Sequence, residues 1–304
     1  MHTFQTRLVI LISWLLCSIW ITSCLSGDNS LSPNQEASNQ LLLERAQSFD
    51  ELSTFVEKVE ESNLESAISD SGAYMLFAPS NEAFAQLSEG ILDTLSTEEL
   101  TNVLSYHVTD TALFANQFRN TQRFETLQGE NIYLFRGTNT ININLGQLIA
   151  GNYQAQSGLL HATNTVLLPD SYLNVTGIFG KRYTLFTFNQ AIGSTELSDT
   201  LQQSEGNEFT VFAPTNTAFN STSPPEDESA IESLLEYHII PQKLTSSDFE
   251  GSQSFETLNG DQLTVEVQND EIIVDGEATI TTSNLEGTNG IVHIVDAVLT
   301  PPDN

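Results

Sequence analysis

Two stretches of this sequence are nearly identical, and three further pairs of matching segments follow them in the same order. The motif FAPSNEAF at Phe77–Phe84 recurs as FAPTNTAF at Phe212–Phe219. Downstream, a Tyr-His pair, a FETL-x-G segment and an apolar segment that ends in proline each occur twice. The members of the four pairs lie 131 to 135 residues apart. Segments repeated in one order indicate tandem duplication, so the 304 residues are expected to hold two copies of one domain.

The amino-terminal residues are typical of an export signal rather than of a folded domain. The apolar run from Leu8 to Trp20 is shorter than the roughly 20 residues that a membrane-spanning helix needs. It leads into Ile21-Thr22-Ser23-Cys24, which resembles the lipobox of bacterial lipoproteins. That resemblance implies cleavage before Cys24 and lipidation of its sulfur. An ordinary secretory signal with an incidental cysteine is the alternative.

The sequence divides into five expected segments. Residues 26–39 are rich in Ser, Asn, Gln, Gly and Pro, a composition typical of a flexible tether. Leu25 follows the cysteine where inner-membrane retention signals have aspartate, so we expect a lipid-anchored protein of the cell envelope, at the outer membrane or cell surface. The expected segments are a lipoprotein signal peptide (1–23), a lipidated tether (24–40), a first domain (41–169), a linker (170–177) and a second domain (178–302).

The chain is strongly acidic. It has 40 acidic and 9 basic residues and a formal net charge of −31, with acids in both repeats. Such a surface repels polyanions, so binding of nucleic acid through a basic face is not expected. Adaptation to salty surroundings is a second explanation of the same charge. The two cysteines, Cys17 and Cys24, leave one after cleavage, so no intramolecular disulfide is predicted.

Each repeat begins with helical patterns and continues with strand patterns. Leu52, Phe55, Val56 and Val59 recur at helical spacing, with Asp50 in position to cap that helix. Another helix is predicted to end at each Tyr-His pair. A short strand between these helices ends at Ala-Pro, and Ser80 and Thr215 are expected to cap the turns that follow.

The second half of each repeat reads as strands. Ile141, Ile143 and Leu145 alternate with Asn142 and Asn144, as in a strand with one buried face. Asn259-Gly260 is a hairpin signal in the second repeat. Helices followed by strands predict the α+β class for each repeat.

The FAP[ST]N-x-AF motif, the Tyr-His pair and the closing G-[LI]-[LV]-H-x-x-[ND]-x-VL-x-P segment together resemble the fasciclin domain family. The resemblance covers about 250 of the 304 residues. It implies two tandem domains, each a wedge of two β-sheets flanked by helices, as used in extracellular adhesion proteins. Ser157 and Asn164 depart from the family, which favours Asn and Asp there. Motif residues with an expected structural role are Phe77, Pro79, Asn81, His161, Phe212, Pro214, Asn216, His293 and Asp296.

The Tyr-His pairs are the candidate interaction residues. In animal relatives, Tyr-His with branched apolar neighbours is associated with integrin recognition, and the resemblance carries this to Tyr106, His107, Tyr237 and His238. The alternative is that the apolar neighbours form the core and that the pairs are buried with them.

No catalytic, cofactor or metal residues are predicted. Two histidines per repeat could suggest a metal site, but no Cys, Asp or Glu recurs beside both copies at ligand spacing. Histidines on apolar faces are therefore expected to be hydrogen-bonded core residues. No G-x-S-x-G elbow is present. The acids between Asn269 and Glu277 lack the spacing of a helix–loop–helix calcium site, which leaves weak calcium bridging at the surface.

These observations predict a non-enzymatic adhesion or scaffold lipoprotein whose tandem domains bind proteins or glycans, held to a membrane by its lipid. The alternative is an envelope protein that binds a small ligand or polymer in a groove between sheets and helices.

Overall fold

A computed structural model describes residues 41–68, 72–87, 91–202, 206, 208–222, 225 and 227–302. The predicted signal peptide, Cys24 and the tether lie outside these residues. The described residues of both repeats belong to one compact unit. In the part of the chain that is described, no helix combines the length and the apolar character needed to cross a membrane.

The first repeat carries its helices mostly ahead of its strands, as the pattern predicted. Its helices are α1 (Leu42–Gln47), α2 (Ser53–Glu60), α3 (Leu64–Ala67), α4 (Asn81–Ala85) and α5 (Thr97–Ser105). Its strands are β1 (Tyr74–Pro79), β2 (Val108–Thr109), β3 (Thr121–Glu125), β4 (Asn131–Arg136), β5 (Ile141–Ile143), β6 (Gly146–Ala155) and β7 (Gly158–Thr163).

The second repeat follows the same order. Its helices are α6 (Val175–Gly180), α7 (Phe186–Gly193), α8 (Leu197–Gln202), α9 (Asn216–Asn220) and α10 (Glu228–Tyr237). Its strands are β8 (Phe209–Pro214), β9 (Ile239–Ile240), β10 (Ser252–Glu256), β11 (Gln262–Gln268), β12 (Glu271–Val274), β13 (Ala278–Gly287) and β14 (Gly290–Val295).

The described strands of each repeat form a continuous seven-stranded ladder. The order is β2-β1-β7-β6-β5-β4-β3 in the first repeat and β9-β8-β14-β13-β12-β11-β10 in the second. The ten-residue strand β6 joins two parts of the ladder, because it pairs with β5 at its start and with β7, across register shifts, along the rest. The two predicted sheets of each domain are therefore connected through one bulged strand.

The ends of each ladder come together. Thr109 of β2 forms an isolated bridge with Thr126, which directly follows β3. In the second repeat the Leu258 N–H donates to the Ile239 carbonyl at 2.8 Å, as that of Leu127 does to Val108. The two edge strands of each ladder thus have partners at this point.

The first and last strands of each repeat are its central pair. β1 runs parallel to β7, and β8 runs parallel to β14, with six paired residues in each case. All six residues of β8 are buried, because one face packs against the helices and the other against the remaining strands. Val211 belongs to the helix-side core and Phe212 to the strand-side core. Burial on both faces explains the unbroken apolar run in the motif.

The segment expected to link the repeats contains part of the second domain. Residues 170–172 form a 3-10 turn, and α6 begins at Val175. Val175, Ile178 and Phe179 are fully buried in the core of the second repeat. The 170–177 boundary is therefore corrected: the second core draws on residues ahead of 178, because the apolar spacing of this short helix was too brief to be recognised.

Candidate functional site

The Tyr-His pairs are core residues in the structure. Tyr106, His107 and His238 are 0% exposed and Tyr237 is 3% exposed. Each pair stands between a helix packed on the core and a short strand, so its side chains turn inward with their apolar neighbours. The expectation that a partner contacts these four side chains is therefore wrong for the folded protein, and the alternative of burial is confirmed.

The histidine of each pair connects a helix to the end of its repeat. His107 Nδ1 donates to the Val103 carbonyl at 2.9 Å, and Nε2 accepts from the Leu167 N–H at 2.9 Å. His238 makes the same two bonds, to Leu234 and Leu299. Because Nε2 accepts a hydrogen bond from a backbone N–H, it carries no proton and the imidazole ring is neutral. Burial lowers the pKa of both imidazoles to about 4.

The histidine of each closing strand is also buried. His161 stacks on Phe77 with ring centroids 5.7 Å apart, and His293 stacks on Phe212 at the same distance. The Nε2 atom of each lies about 3 Å from a backbone carbonyl, that of Leu113 in the case of His161 and that of Leu244 in the case of His293. Burial lowers the pKa of His161 to about 4 and also lowers that of His293. Both residues therefore lie in the core with the Nε2 ring nitrogen hydrogen-bonded to the backbone.

The FAP[ST]N motif fastens the first helices to the sheet. Asn81 Oδ1 accepts from the Thr54 N–H at 2.9 Å, and its Nδ2 donates to the Asp50 carbonyl at 3.0 Å. Asn216 makes the corresponding bonds in the second repeat. Pro79 and Pro214 end their strands. Ser80 and Thr215 cap the next helices as predicted, whereas α2 is preceded by Leu52 with no side-chain cap, so the predicted cap at Asp50 is wrong.

The two departures from the family motif keep the same hydrogen bond. Asn164 Oδ1 accepts from the Gln147 N–H at 2.7 Å, and Asp296 Oδ1 accepts from Thr279 at 2.7 Å. Ser157 Oγ accepts from the Leu42 N–H, as Asn289 Oδ1 does from that of Val175. Each position needs an acceptor aimed at a backbone N–H, and the amide, carboxylate or hydroxyl oxygen supplies it.

The tyrosine of each pair forms a hydrogen bond with an Asn or Asp side chain. Asn144 is buried, with φ +49°, and its Nδ2 donates to Tyr106 Oη at 3.0 Å. At the equivalent position Asp275 has φ +51° and accepts from the Tyr237 hydroxyl. The left-handed backbone interrupts the alternation, so Leu145, predicted to be buried, is 52% exposed.

A buried lysine joins the repeats, and no motif drew attention to it. The Lys181 side chain is fully buried, and its Nζ lies 2.7 Å from Asp170 Oδ1 and 3.3 Å from Glu130 Oε2. The same Nζ donates to Tyr106 Oη at 3.1 Å and to the Leu168 carbonyl. Burial lowers the pKa of Lys181, while the neighbouring Asp170 opposes that shift. The only adjacent Lys-Arg pair in this acidic sequence was the available signal.

Arg182 completes the junction. Its guanidinium donates to both oxygens of Asp170, with 3.1 Å to Oδ1, and to the Ile178 carbonyl. It lies 5.4 Å from the centroid of the Tyr133 ring, which also meets Tyr183 edge to face. Two buried cations are thus paired with the buried carboxylate of Asp170 and the partly exposed carboxylate of Glu130, which supply the opposite charge that buried cations require.

The surface depressions found among the described residues are open to solvent rather than enclosed. Two open depressions on the first repeat are lined mainly by polar side chains, one between α3, α5 and residues 127–128 and the other around Lys58 and Asp93. Within the described residues, no three His, Cys, Asp or Glu side chains are placed to hold a metal ion.

Comparisons with known proteins agree with this geometry. A family model of the fasciclin domain matches residues 50–169 and 184–301. Human periostin is 27% identical over 257 residues, covering 84% of this chain and 30% of periostin. Cell surface glycolipoprotein MPB83 of Mycobacterium bovis is 35% identical over 112 residues, covering 35% of this chain and 48% of MPB83. The chain thus spans less than a third of periostin and about half of MPB83.

The fold is similar to a solved structure of a FAS1 domain pair from the insect cell adhesion molecule Fasciclin I. The TM-score is 0.59 with 18% sequence identity, covering 82% of this chain and 96% of that chain. The likeness extends over both repeats, so the tandem α+β architecture expected from the sequence is confirmed.

Proposed function

This chain belongs to the fasciclin domain family, and from that premise we propose that it is a non-enzymatic adhesion or scaffold protein of the cell envelope. It binds proteins or glycans through its surface, and lipid on Cys24 holds it to a membrane, at the outer membrane or cell surface. The description of MPB83 as a cell surface glycolipoprotein and of Fasciclin I as a cell adhesion molecule supports this proposal.

One observation carries the choice of binding over catalysis. The side chains that recur in both repeats and are capable of chemistry are buried and hydrogen-bonded within the core, foremost the four histidines. A residue that acts on a substrate must reach it, and these residues reach backbone groups instead. The solvated acidic surface is what remains available to a partner.

The buried junction supports a role for the pair as one unit. Lys181 and Arg182 of the second repeat are enclosed against Glu130, Asp170 and Tyr106, so the two repeats present their surfaces at a fixed separation. Two faces held together favour avidity on a repetitive target.

The test is binding of the lipid-free chain, residues 28–304, to whole cells and to panels of glycans and matrix proteins. We expect saturable binding that persists when calcium is chelated, apart from a weak component bridged by calcium at the acidic surface. The control is an unrelated lipid-free protein of similar size and net charge. Absence of saturable binding to every surface would contradict the proposal.

The anchor is tested separately. Cys24→Ala expressed from the full sequence is expected to move the protein from the membrane fraction to the soluble fraction, because the thiol that accepts the lipid is gone. Ser26→Ala is the matched control and should stay with the membrane. Equal distribution of the two variants would rule out lipidation at Cys24.

A further inference from the structure

The two repeats place the same tyrosine at the same corner but differ in what lies against it. Tyr106 Oη meets the Asn131 carbonyl at 2.8 Å, Asn144 Nδ2 and the Lys181 ammonium. Tyr237 Oη lies 3.2 Å from the Gln262 carbonyl and donates to Asp275. The carbonyl and the Asx partner are thus equivalent in both repeats, whereas the ammonium is found only at the first of the two.

The charges around the second tyrosine are not balanced. Asp275, Asp261 and Glu277 lie close enough that their charges, after burial and the bond to Asp275, raise the pKa of Tyr237 further. Among the described residues, none of the three acids forms an ion pair with a Lys or Arg. Beyond Arg182 the sequence contains one basic residue, Lys243, which pairs with Glu286. We name Tyr237, Asp261, Asp275 and Glu277 the acidic corner.

The first repeat holds a lysine ammonium at the equivalent place, where Asp170, Glu130 and Tyr106 contact it. In the second repeat Asp275 supplies the carboxylate beside the tyrosine. Glu130 occupies the position equivalent to Asp261, beside the same hairpin, and its carboxylate contacts Lys181. The acidic corner does not have the placement of a metal site, whereas a side-chain ammonium held by a phenol and carboxylates is present in the same fold. All three acids are at least partly exposed, so a partner can reach them.

We propose that the acidic corner binds a lysine side chain from another polypeptide, in a lysine-arginine pair like Lys181 and Arg182 of this chain. The partner is a protein with that basic pair at the carboxyl end of a short exposed helix, as at the start of another fasciclin domain. This inference rests on the proposed function, for which it names the face and the chemistry of the partner. Charge complementarity is the argument for this occupant.

A second copy of this chain does not supply the basic pair. The C-cap of α1 is Ser48, where the C-cap of α6 is Lys181, and Phe49 follows where α6 is followed by Arg182. The Lys181–Arg182 pair is itself enclosed at the junction. The partner is therefore a different protein, and the purified chain alone is expected to remain monomeric at this face.

The experiment titrates acetyl-Lys-Arg-amide into the ¹⁵N-labelled lipid-free chain, residues 28–304, and follows the amide resonance of Thr264. That N–H donates to Asp275 Oδ1 at 2.7 Å and so reports on the acidic corner. We expect a saturable shift with a dissociation constant on the order of millimolar, weakened by salt. Acetyl-Gln-Gln-amide is the uncharged control peptide.

Two variants separate this face from the general negative charge. Asp261→Asn with Asp275→Asn should weaken binding by about fivefold or more. The fold tolerates the second change, since Asn144 holds the equivalent left-handed position and accepts the equivalent bond from Tyr133. Glu250→Gln with Glu256→Gln removes the same charge at exposed positions of the same repeat and should leave binding within about twofold.

The outcomes are distinct. A Thr264 shift that does not saturate, that acetyl-Gln-Gln-amide reproduces, or that the Asp261 and Asp275 changes leave intact would overturn the inference. If the peptide fails while the chain still binds cells, the proposed function stands and uses another face. If cell binding fails and the peptide binds, the acidic corner is real but the adhesion proposal is not.

Discussion

Each repeated histidine is neutral because it is buried, and its neutrality has a measurable consequence. Burial lowers the pKa of His107, His161 and His238 to about 4, below the value near 6.5 of an exposed imidazole. In the pH range between these values the unfolded chain binds protons that the folded chain does not. The contribution of these neutral histidines to the free energy of unfolding is therefore complete above about pH 6.5 and is lost as the pH falls towards 4.

His107→Gln should make stability less sensitive to acid. The linkage predicts that one such histidine contributes about 2 kcal/mol of the stability lost between pH 7.5 and pH 5. The variant, less stable at pH 7.5 through its lost bonds to Val103 and Leu167, should therefore approach the parent chain at pH 5. Urea unfolding at both pH values measures this difference. Carboxylates titrate alike in both proteins, so parallel pH curves would show that His107 does not carry the linkage.

For single residues, the sequence predicts a structural role more readily where the residue recurs in both repeats than where it occurs once. The Asn, Pro and His residues of the motifs could be expected to be structural, because each recurs at the same place. Lys181 could not, since a lysine between glycine and arginine reads as a solvated residue and its partners Glu130 and Asp170 are brought to it by the fold. Asn144 was misread because its left-handed backbone is invisible in an alternating pattern.

The closing strand of each repeat requires glycine at its first residue. Gly158 begins β7 with φ +147°, and a Cβ there would lie 1.9 Å from the Tyr74 carbonyl oxygen of the neighbouring parallel strand. Gly290 meets Phe209 in the same way, with 2.2 Å to the carbonyl oxygen. Glycine is needed because strands from opposite ends of the repeat meet here backbone to backbone.

Gly158→Ala is expected to destabilise the protein by about 2 kcal/mol or more, through backbone strain and displacement of β1. Gly193→Ala is the matched control, since it stands in α7 with no atom within 4 Å of the added methyl group, and should be neutral or slightly stabilising. Urea unfolding of both variants measures the difference. Similar unfolding midpoints would show that the β1–β7 contact yields without strain.

The order of elements was predictable, and their connections were less so. Helical spacing and the alternation in β11 gave the class of each repeat, and Asn259-Gly260 does connect β10 to β11. The parallel partnership of β1 with β7 was not predicted, because local patterns carry no information on which distant strands pair. The bulges of β6 and β13 were missed for the same reason.

For the whole molecule, the buried charges at the junction couple the repeats. Lys181→Met removes one of the two cations there, so the buried carboxylate of Asp170 keeps only Arg182 as a partner and the partly exposed Glu130 loses its ion pair. We expect a loss of about 3 kcal/mol and separation of one unfolding transition into two, as seen by calorimetry. The remaining Arg182–Asp170 pair limits the loss.

Lys243→Met provides the comparison. Lys243 also belongs to an ion pair, with Glu286, but its side chain is 30% exposed and that of Glu286 is 61% exposed, so its removal should cost less than about 1 kcal/mol. If both lysine variants unfolded alike in one transition, the junction would not couple the repeats.

Because the first strand of each repeat pairs with its last strand, neither repeat can complete its sheet until that last strand has been synthesised. A chain that leaves the ribosome amino end first cannot complete the sheet of the first repeat until β7 has emerged, since β1 has no earlier parallel partner. Lys181 emerges after that strand, so every element that forms the surface around Tyr106 and Glu130 has left the ribosome before it. We therefore expect the first repeat to fold before the second, and the second to dock on it through Lys181.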